Sequence, residues 1–388
     1  MIKNIQYKKL GEICDFISGG TPSKSKNEYW KNGNIPWIKI SDFKEKYIKC
    51  SDEKITKNGL ENSSAKLLKK GTILYTIFAS VGKVAILDIE ATTNQAIVGV
   101  NLKENNLVDK DFLYYFLCSI ENNIKRQARG VAQNNINISI LKNVCIPILP
   151  ISSQKNIVKT LMRLEDILEN FKQKKILINF LNKSLFTTMF GDIKTNDKNW
   201  KLFEIKEISN IITRGKTPKY ALSSNIFVIN QACIYWDKIK YENMKFHIED
   251  ENLLFLKNKD VLINSTGTGT LGRMNIIQNI IHEKFTIDSH VMLVRLKDEK
   301  TLPLYFINIF MNEKYQKDLL LKCVNGSTNQ IELSKEKFSK FKIPVPPIEL
   351  QNKFAERIEK ITKLSFEIEE AIKEAENLYN SLISKYFD

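Results

Sequence analysis

Glycine-rich loops are the first part of this sequence that could do chemistry. Gly267-Thr-Gly-Thr-Leu-Gly272 follows an apolar run and fits the G-x-G-x-x-G spacing with which a loop can hold a pyrophosphate. That chemistry needs the amino end of a helix directly after the loop. The following residues, Arg273-Met-Asn-Ile-Ile277, instead have the pattern of a returning strand. We therefore predict a hairpin turn here rather than a nucleotide site.

Motifs for base methylation, phosphate transfer and metal-dependent hydrolysis are absent from the sequence. An amino-methyltransferase would need Asn-Pro-Pro-Tyr or Asp-Pro-Pro-Tyr, but Val345-Pro-Pro-Ile348 lacks both the amide or carboxylate and the aromatic ring. No Gly-x-x-x-x-Gly-Lys-Ser/Thr phosphate loop and no nuclease-type carboxylate cluster occurs. The six cysteines stand apart and only three histidines occur, so neither a zinc site nor a disulfide framework is indicated. We predict no catalytic residue, no metal and no cofactor in this chain.

Polar loops near the predicted turns have the residue types that read DNA. Arginine and lysine neutralise phosphates or bridge guanine edges, asparagine and glutamine pair with adenine, and serine and threonine serve either role. The DNA-binding candidates are Thr21, Ser23, Lys24, Lys26, Lys39, Ser80, Lys83, Arg126, Arg129, Gln133, Asn134, Arg214, Lys216, Thr217, Lys219, Thr266, Thr268, Arg273, Asn325, Ser327, Asn329 and Gln330. Each alone is a common type of solvated loop residue, but the candidates occupy matching places in two halves of the chain.

Charge and hydropathy narrow the class of protein. The formal net charge is +15, from 59 lysines and arginines against 44 acidic residues, which favours a polyanionic partner. The same excess could also only solvate a lysine-rich surface. The first residues have no apolar core of signal-peptide length, and the apolar stretches 73–79 and 302–311 are too short to span a bilayer. We therefore expect a cytoplasmic protein with double-stranded DNA as a partner and no membrane contact.

An internal repeat organises the elements that must position these loops. The segment from Leu10 to Lys24 is echoed from Ile205 to Lys219, and both contain a Thr-Pro pair, Thr21-Pro22 and Thr217-Pro218. Further on, two proline-rich segments match, Ile146-Pro-Ile-Leu-Pro and Ile343-Pro-Val-Pro-Pro. Two copies of one unit fill the chain.

Each copy has the same predicted order of elements. After the Thr-Pro loop comes a strand, a tight turn and a returning strand, in residues 71–83 and 259–273. An amphipathic helix follows, 111–126 in the first copy and 303–321 in the second, then a polar segment and the proline-rich exit.

A long heptad pattern follows each proline-rich exit, and the second has the phase of the first. Such a seam needs a second helix, and we predict antiparallel packing of the two repeats as a coiled coil. The apolar seam positions are Ile157, Leu161, Leu164, Leu168, Phe171, Ile178, Leu185, Met189, Phe354, Ile358, Ile361, Ile368, Ile372, Ala375, Tyr379, Leu382 and Tyr386. Lys175, Asn182 and Ser365 interrupt the seam; Lys175 and Asn182 either set its register and face a partner, or are solvated defects.

The predicted fold class is therefore α+β, with two homologous α/β recognition domains separated by two long antiparallel helices in a pseudo-twofold internal repeat. The predicted segments are a first recognition domain, 1–150, a spacer helix, 151–196, a second recognition domain, 197–347, and a second spacer helix, 348–388.

This layout resembles the specificity subunit of type I restriction-modification enzymes. The resemblance covers essentially the whole chain. It depends on the two Thr-Pro loops, on the turns that end in Gly82-Lys83 and Gly272-Arg273, on Asn94-Gln95-Ala96, and on the proline-rich exits that end at Gln154 and Gln351. One departure is Asp288-Ser-His290, which replaces Asn94-Gln95-Ala96 in the second copy and puts the shared role of that element in doubt.

The resemblance implies that two target-recognition domains each read one half of a bipartite, asymmetric DNA site, held apart by helices that act as a ruler. It implies two modification (methyltransferase) subunits as partners and, through them, restriction (translocase-nuclease) subunits. S-adenosylmethionine would then belong to the modification subunits, and ATP and Mg to the restriction subunits.

Other functions stay open at this point. The chain could be a self-contained DNA methyltransferase or a nuclease-fused enzyme, which would bind S-adenosylmethionine by itself. It could also be a non-catalytic coiled-coil scaffold, whose DNA affinity would not fall steeply with salt. A variant subunit without a nuclease partner is a further possibility within the family.

Overall fold

The structure is a computed structural model that describes residues 5–104, 106–121, 124, 135–250, 252–267, 269–278, 280, 284–326 and 331–387. The chain forms two compact units, one of residues 1–172 with 370–388 and the other of residues 173–369. We call them the first unit and the second unit. None of the helices in these ranges is long and apolar enough to cross a membrane.

The first unit contains a recognition domain of short strands and helices. Its elements are β1 (Gln6–Lys9), α1 (Leu10–Ile13), β2 (Cys14–Ser18), β3 (Ile35–Ile38), β4 (Tyr47–Ile48), β5 (Lys54–Ile55), α2 (Lys57–Glu61), β6 (Ile73–Thr76), β7 (Val84–Leu87), β8 (Thr92–Thr93), β9 (Ile97–Leu102), α3 (Lys110–Ser119), α4 (Ile138–Asn143) and β10 (Cys145–Ile148). The strands form a five-stranded sheet in the order β2-β9-β6-β7-β4, a three-stranded sheet β5-β3-β8 and the pair β1-β10.

The second unit repeats this arrangement. Between the long helix α5 (Ile151–Phe190) and the long helix α9 (Ile348–Phe387) lie β11 (Lys201–Glu204), β12 (Ser209–Arg214), β13 (Tyr220–Ala221), β14 (Ile226–Ile229), β15 (Lys245–His247), β16 (Val261–Asn264), β17 (Met274–Ile276), β18 (Lys284–Ile287), β19 (Val291–Leu296), α6 (Pro303–Met311), α7 (Glu313–Cys323), β20 (Val324–Asn325), β21 (Glu332–Leu333), α8 (Lys335–Ser339) and β22 (Lys342–Val345). The sheets are β12-β19-β16-β17, β13-β15-β14-β18, β11-β22 and β20-β21.

Strand pairing confirms the internal repeat. The order β2-β9-β6-β7 in the first unit matches β12-β19-β16-β17 in the second. The parallel pairs β3-β8 and β14-β18 match in the same way. Both predicted strand-turn-strand segments are antiparallel hairpins, β6 with β7 and β16 with β17. Because β17 begins at Met274, two residues after Gly272, and pairs with β16, the glycine-rich loop is a hairpin turn, as the sequence predicted.

The predicted single helix over residues 303–321 is wrong. The structure has two helices, α6 and α7, with Asn312 between them. Asn312 has an extended backbone, and its side chain accepts hydrogen bonds from the N–H groups of Lys314 and Tyr315. An asparagine in this conformation is a strong helix amino-terminal cap, so it starts a new helix rather than continuing the old one. In the first unit α3 ends at Ser119, and the predicted helix end at Arg126 lies outside the described residues.

The long helices α5 and α9 pair within each unit. Every predicted seam position on α5 and α9 is buried or half-buried, and most positions between them are exposed. In the first unit the Tyr379 hydroxyl donates to Glu165 Oε1 at 3.2 Å. In the second unit the Phe190 and Phe354 rings are 5.2 Å apart, and Lys175 pairs with Glu369. Residue numbers rise along one helix as they fall along the other, so the helix segments are antiparallel within each unit.

The two polar residues in the α5 seam have different surroundings. Lys175 Nζ lies 2.8 Å from Glu369 Oε1, with both side chains nearly half exposed. Asn182 Oδ1 is buried and accepts no hydrogen bond from the described residues. A buried amide oxygen without a donor is destabilising, which is typical of a residue that fixes the register of a coiled coil.

The ends of the long helices complete the cores of the recognition domains. In the first unit Phe387 packs against Phe112, with ring centroids 5.1 Å apart. In the second unit Phe190 packs against Tyr305 at 4.8 Å. All four side chains are buried, and the two pairs occupy matching places in the repeat. Each domain core therefore contains the carboxyl end of a long helix.

A buried glutamine joins the start of each long helix to its domain. Gln154 Oε1 accepts from the Asp109 N–H at 2.8 Å, and Gln154 Nε2 donates to the carbonyls of Leu107 and Leu149 at 3.0 and 2.7 Å. The side chain is fully buried, so its amide and these three backbone groups satisfy one another without water.

Gln351 makes the same three bonds in the second unit. Its Oε1 accepts from the Leu302 N–H at 2.9 Å, and its Nε2 donates to the carbonyls of Lys300 and Pro346 at 3.1 and 2.8 Å. Gln351 is also fully buried. The glutamines that end the two proline-rich exits in the sequence thus have one structural role.

We predict that Gln351→Met destabilises the second unit by about 3 kcal/mol, because a buried N–H and two carbonyls lose their partners. Urea unfolding would measure the loss, and hydrogen exchange at the Leu302 amide should accelerate. Asn352→Met changes an exposed neighbour on the same helix and should leave both unaffected. Equal stability of the two variants would contradict the assigned role of Gln351.

Candidate nucleic-acid interface

Glycines allow each Thr-Pro loop to lie directly on a turn, the one before β9 in the first unit and the one before β19 in the second. A Cβ atom added to Gly19 would lie 2.0 Å from the carbonyl oxygen of Asn94, and one added to Gly215 would lie 2.2 Å from that of Asp288. The N–H group of Gly19 donates to the Ile97 carbonyl in β9 at 3.0 Å, and that of Gly215 donates to the Val291 carbonyl in β19 at 3.1 Å. The loop and the turn therefore form one surface in each unit.

Glu53 gathers two of the predicted lysines in the first unit. Lys24 Nζ contacts Glu53 Oε2, and Lys39 Nζ lies 2.7 Å from Glu53 Oε1. Hydrogen bonds from Lys24 and then Lys39 lower the pKa of Glu53, and the bond to Glu53 raises the pKa of Lys39. One carboxylate thus holds two cations in place at the surface.

Aromatic rings lie beside the same lysines. Lys24 Nζ lies 3.5 Å from the centroid of the Trp30 ring, and Trp30 meets Trp37 edge to face at 5.0 Å. Lys26 donates to the Tyr29 hydroxyl at 3.0 Å. A lysine over an aromatic face is held by cation–π attraction, so the orientation of Lys24 is fixed from two sides.

The remaining described candidates of the first unit lie on the Thr-Pro loop and on the turn between β6 and β7. Thr21 donates to Gln95 Oε1, and the hydroxyls of Ser23 and Ser25 are 2.8 Å apart. Ser80 and Lys83 belong to the β6–β7 turn instead. Among the described residues, no hydrogen bond or ion pair joins Ser80 or Lys83 to the cluster of Glu53, Lys24 and Lys39, which we call the Glu53 cluster. Arg126, Arg129, Gln133 and Asn134 lie outside the described residues.

In the second unit Glu332 gathers the candidates Arg214, Thr266 and Asn325. The Arg214 guanidinium contacts Glu332 Oε1 and the Leu333 carbonyl, and burial lowers its pKa. Thr266 forms an isolated backbone bridge with Glu332, and Asn325 pairs with Glu332 across β20 and β21. Because these contacts are intramolecular, Arg214 is a positioned side chain rather than a solvated one.

Other candidates of the second unit are more open. Lys216, Thr217 and Lys219 lie exposed on the Thr-Pro loop, and the Lys219 N–H donates to His247 Nε2 at 3.1 Å. Arg273 lies 5.2 Å from the Tyr235 ring centroid. Thr268, Ser327, Asn329 and Gln330 lie outside the described residues.

Several residues of these surfaces were missed by the sequence analysis. Glu53 and Glu332 give no local signal in the sequence, because an acidic residue in a loop is not by itself a feature of a DNA-binding surface. Gln231 also belongs to the second surface, since its Oε1 accepts from the Thr266 hydroxyl at 3.3 Å. The turns around Gln95 and His290 were visible only as a difference between the repeats.

The described part of the chain offers neither a metal site nor, at Cys14 and Cys233, a reactive thiolate. Within the described ranges, no three His, Cys, Asp or Glu side chains could hold a metal ion. Burial raises the pKa of the Cys14 thiol to about 12 and that of the Cys233 thiol to about 11, so neither is a reactive thiolate at neutral pH. The arrangement presents basic, amide and hydroxyl groups, which are the types that contact phosphates and base edges.

Comparison with known proteins points to one family. Residues 2–179 and 197–376 each match the sequence family described as the type I restriction modification DNA specificity domain. The specificity subunit of the type I restriction enzyme MjaIX of Methanocaldococcus jannaschii is 24% identical over 383 residues, which cover 91% of this chain and 85% of the relative. The EcoR124I/EcoR124II specificity subunit of Escherichia coli is 34% identical over 169 residues, 42% of this chain and 41% of the relative.

Solved structures share the fold at low identity. The S subunit of a type I restriction-modification system from M. genitalium has a TM-score of 0.56 at 17% identity, with 100% of this chain and 98% of that chain covered. The HsdS subunit of Thermoanaerobacter tengcongensis has a TM-score of 0.52 at 16% identity, with 100% and 97% covered.

The Glu53 cluster predicts a pH dependence of stability. The pKa of Glu53 is lowered in the folded protein, so its ion pairs stabilise the fold above the pKa of an unfolded glutamate, and this contribution is lost as pH falls through the folded pKa. Glu53→Gln should lower the melting temperature by about 1–3 °C at pH 7 and by less at pH 3. Calorimetry at the two pH values checks this; a difference that grows toward acid pH would contradict it.

Proposed function

Because the chain belongs to the family of type I restriction modification DNA specificity domains, we propose that it reads a bipartite, asymmetric DNA site, one half with each domain. It is the DNA specificity subunit of a type I restriction-modification system. Its task is recognition, and the chemistry belongs to other subunits of the complex.

The observation that carries the proposal is the repetition of one backbone surface with different side chains. Both units place a Thr-Pro loop against the turn before the central strand, with a glycine at the point of contact. The side chains on that surface differ, with Lys24 and Lys39 paired with Glu53 in one unit and Arg214 paired with Glu332 in the other. One scaffold with two sets of polar groups suits two unequal half-sites.

The long helices support the proposed spacing of the half-sites. Each helix has 40 residues, a length of about 60 Å at the rise of an α-helix. The segments 1–150 and 197–347 would be the recognition domains, and 151–196 and 348–388 the spacer that separates the two contacted tracts. We propose that these helices set the number of base pairs between the two halves.

We further propose two modification subunits as partners, with restriction subunits bound through them. S-adenosylmethionine would be held by the modification subunits, and ATP and Mg by the restriction subunits. The complex would act on double-stranded DNA in the cytoplasm. Relatives of this chain are named as specificity subunits of type I restriction enzymes, which supports a partner that supplies the chemistry.

An apolar surface on the helices of the second unit suits such a partner. Leu177 and Phe180 are each 65% exposed on α5, and Phe366 is 62% exposed on α9. Ile176 and Leu181 are about half exposed on the same helix turns. The seam of these helices is already buried, so a second apolar face is typical of a helix that packs on two sides. We propose that a helical segment of a modification subunit covers it.

Methylation sequencing tests the proposed function. The chain, expressed with its modification subunits in cells without other methyltransferases, should methylate a split motif of two unequal halves separated by a fixed unspecified gap. Replacing residues 1–150 with the first recognition domain of a relative should change only one half, and replacing 197–347 only the other.

A continuous motif, or a change of both halves in either exchange, would contradict the proposal. A self-contained methyltransferase would instead methylate DNA without the modification subunits and would give heat on titration with S-adenosylmethionine. A scaffold would show no steep loss of DNA affinity between 50 and 200 mM salt, whereas several phosphate contacts require one of about a hundredfold or more.

We predict that Phe180→Asp weakens binding of the modification subunits at least about tenfold, because a charge replaces a large side chain at the centre of an apolar surface. Analytical ultracentrifugation of the mixture would measure it. Asn179→Asp introduces the same charge at the neighbouring exposed position and should leave assembly unchanged. Unaltered assembly of the Phe180 variant would exclude this surface as the docking site.

A further inference from the structure

The turn between β8 and β9 in the first unit is held by three hydrogen bonds. Asn94 Oδ1 accepts from the Ala96 N–H at 3.1 Å, and the Asn94 N–H donates to the Ile38 carbonyl at 3.0 Å. The Ala96 carbonyl accepts from the Ile77 N–H at 2.8 Å. These bonds fix the backbone and leave the exposed Gln95 side chain free of any structural role in the turn.

The second unit builds the same turn from a different sequence. Asp288 Oδ1 accepts from the His290 N–H at 2.9 Å, and the Asp288 N–H donates to the Ile229 carbonyl at 3.2 Å. The His290 carbonyl accepts from the Ser265 N–H at 2.9 Å. Asp288 therefore replaces Asn94 without changing the backbone, and the difference between the repeats is confined to the two side chains that follow.

Those side chains point to different groups. In the first unit Gln95 Oε1 accepts from the Thr21 hydroxyl, on the Thr-Pro loop. In the second unit His290 Nδ1 lies 2.8 Å from the Thr266 hydroxyl, and that hydroxyl donates to Gln231 Oε1 at 3.3 Å. The loop from Asn264 to Gly272, which carries Thr266, is longer than the matching loop of the first unit.

The hydrogen bonds from Gln231 through Thr266 to His290 bear on which imidazole nitrogen of His290 carries the proton. A hydroxyl has one proton, and that of Thr266 is directed to Gln231. We therefore assign the proton of the bond between Thr266 and His290 to His290 Nδ1, with Thr266 Oγ1 as acceptor; this assignment is part of the proposal below. In a neutral imidazole this leaves Nε2 as an acceptor. His290 is exposed, and no described residue hydrogen-bonds to its Nε2.

We propose that His290 is a specificity-determining residue, whose Nε2 accepts a hydrogen bond from the exocyclic amino group of an adenine or cytosine in the half-site read by the second domain. This inference rests on the proposed function. Adenine N6 and cytosine N4 are the amino donors of the major groove, and a fixed acceptor discriminates against guanine and thymine, which present acceptors there. Thr266 and Gln231 are positioning residues, because they hold the proton on Nδ1.

Methylated-base sequencing of the complex with its modification subunits tests this proposal. The wild type first establishes the split motif, and the domain exchange shows which half belongs to residues 197–347. His290→Phe keeps a flat ring and removes the acceptor. At one position of that half, the wild type should prefer adenine or cytosine. The ratio of methylation at sites with that base to methylation at sites with other bases should fall about tenfold in the variant.

Two further variants keep the test sharp. Asp288→Asn should preserve the motif, because Asn94 supports the same turn. Thr266→Val removes the hydroxyl that orients the ring and should relax the same position as His290→Phe. Thermal unfolding of each variant shows that the fold is intact.

Unchanged discrimination in His290→Phe, or a change in the half read by the first domain, would overturn the assignment of His290. If the position that loses discrimination in His290→Phe prefers guanine or thymine in the wild type, the proton assignment is wrong. Absence of any split motif in the wild type would instead refute the proposed function itself, so the two failures are distinguishable.

Discussion

The structure depends on two buried glutamine side chains. Gln154 and Gln351 each satisfy one backbone N–H and two carbonyls at the place where a domain ends and a long helix begins. Burial makes these bonds obligatory, since no water can replace a lost partner. They fix the direction in which each helix leaves its domain. Each amide thereby attaches one long helix rigidly to its own domain.

Much of this architecture could be predicted from sequence because it repeats or is periodic. The seam from Ile157 to Met189 follows a heptad spacing, and the strand-turn-strand segments alternate with turn residues, so both are local patterns. The helix break at Asn312 was missed because a cap depends on the backbone angles of one residue, which the apolar pattern around it conceals. The core partner of Phe112, the distant Phe387, leaves no local signal in either segment.

The candidate surfaces were predictable in residue type but not in arrangement. Lysine and arginine in glycine-rich loops were visible in the sequence, and Lys24, Lys39 and Arg214 do lie at the surface. Their acidic partners were not foreseen, because Glu53 and Glu332 are brought to them by strand pairing across the domain. Each cation is therefore oriented before any ligand arrives, which reduces the side-chain entropy lost on binding.

The contact between Phe387 and Phe112 has a consequence for biosynthesis. The first core includes a ring from the far end of the last helix, whereas the second core takes Phe190 from the helix that directly precedes it. The chain is synthesised from its amino end, so all residues of the second unit, which ends at residue 369, are translated before Phe387 of the first core. A frameshift or early stop in the last helix thus leaves the domain translated first without part of its core.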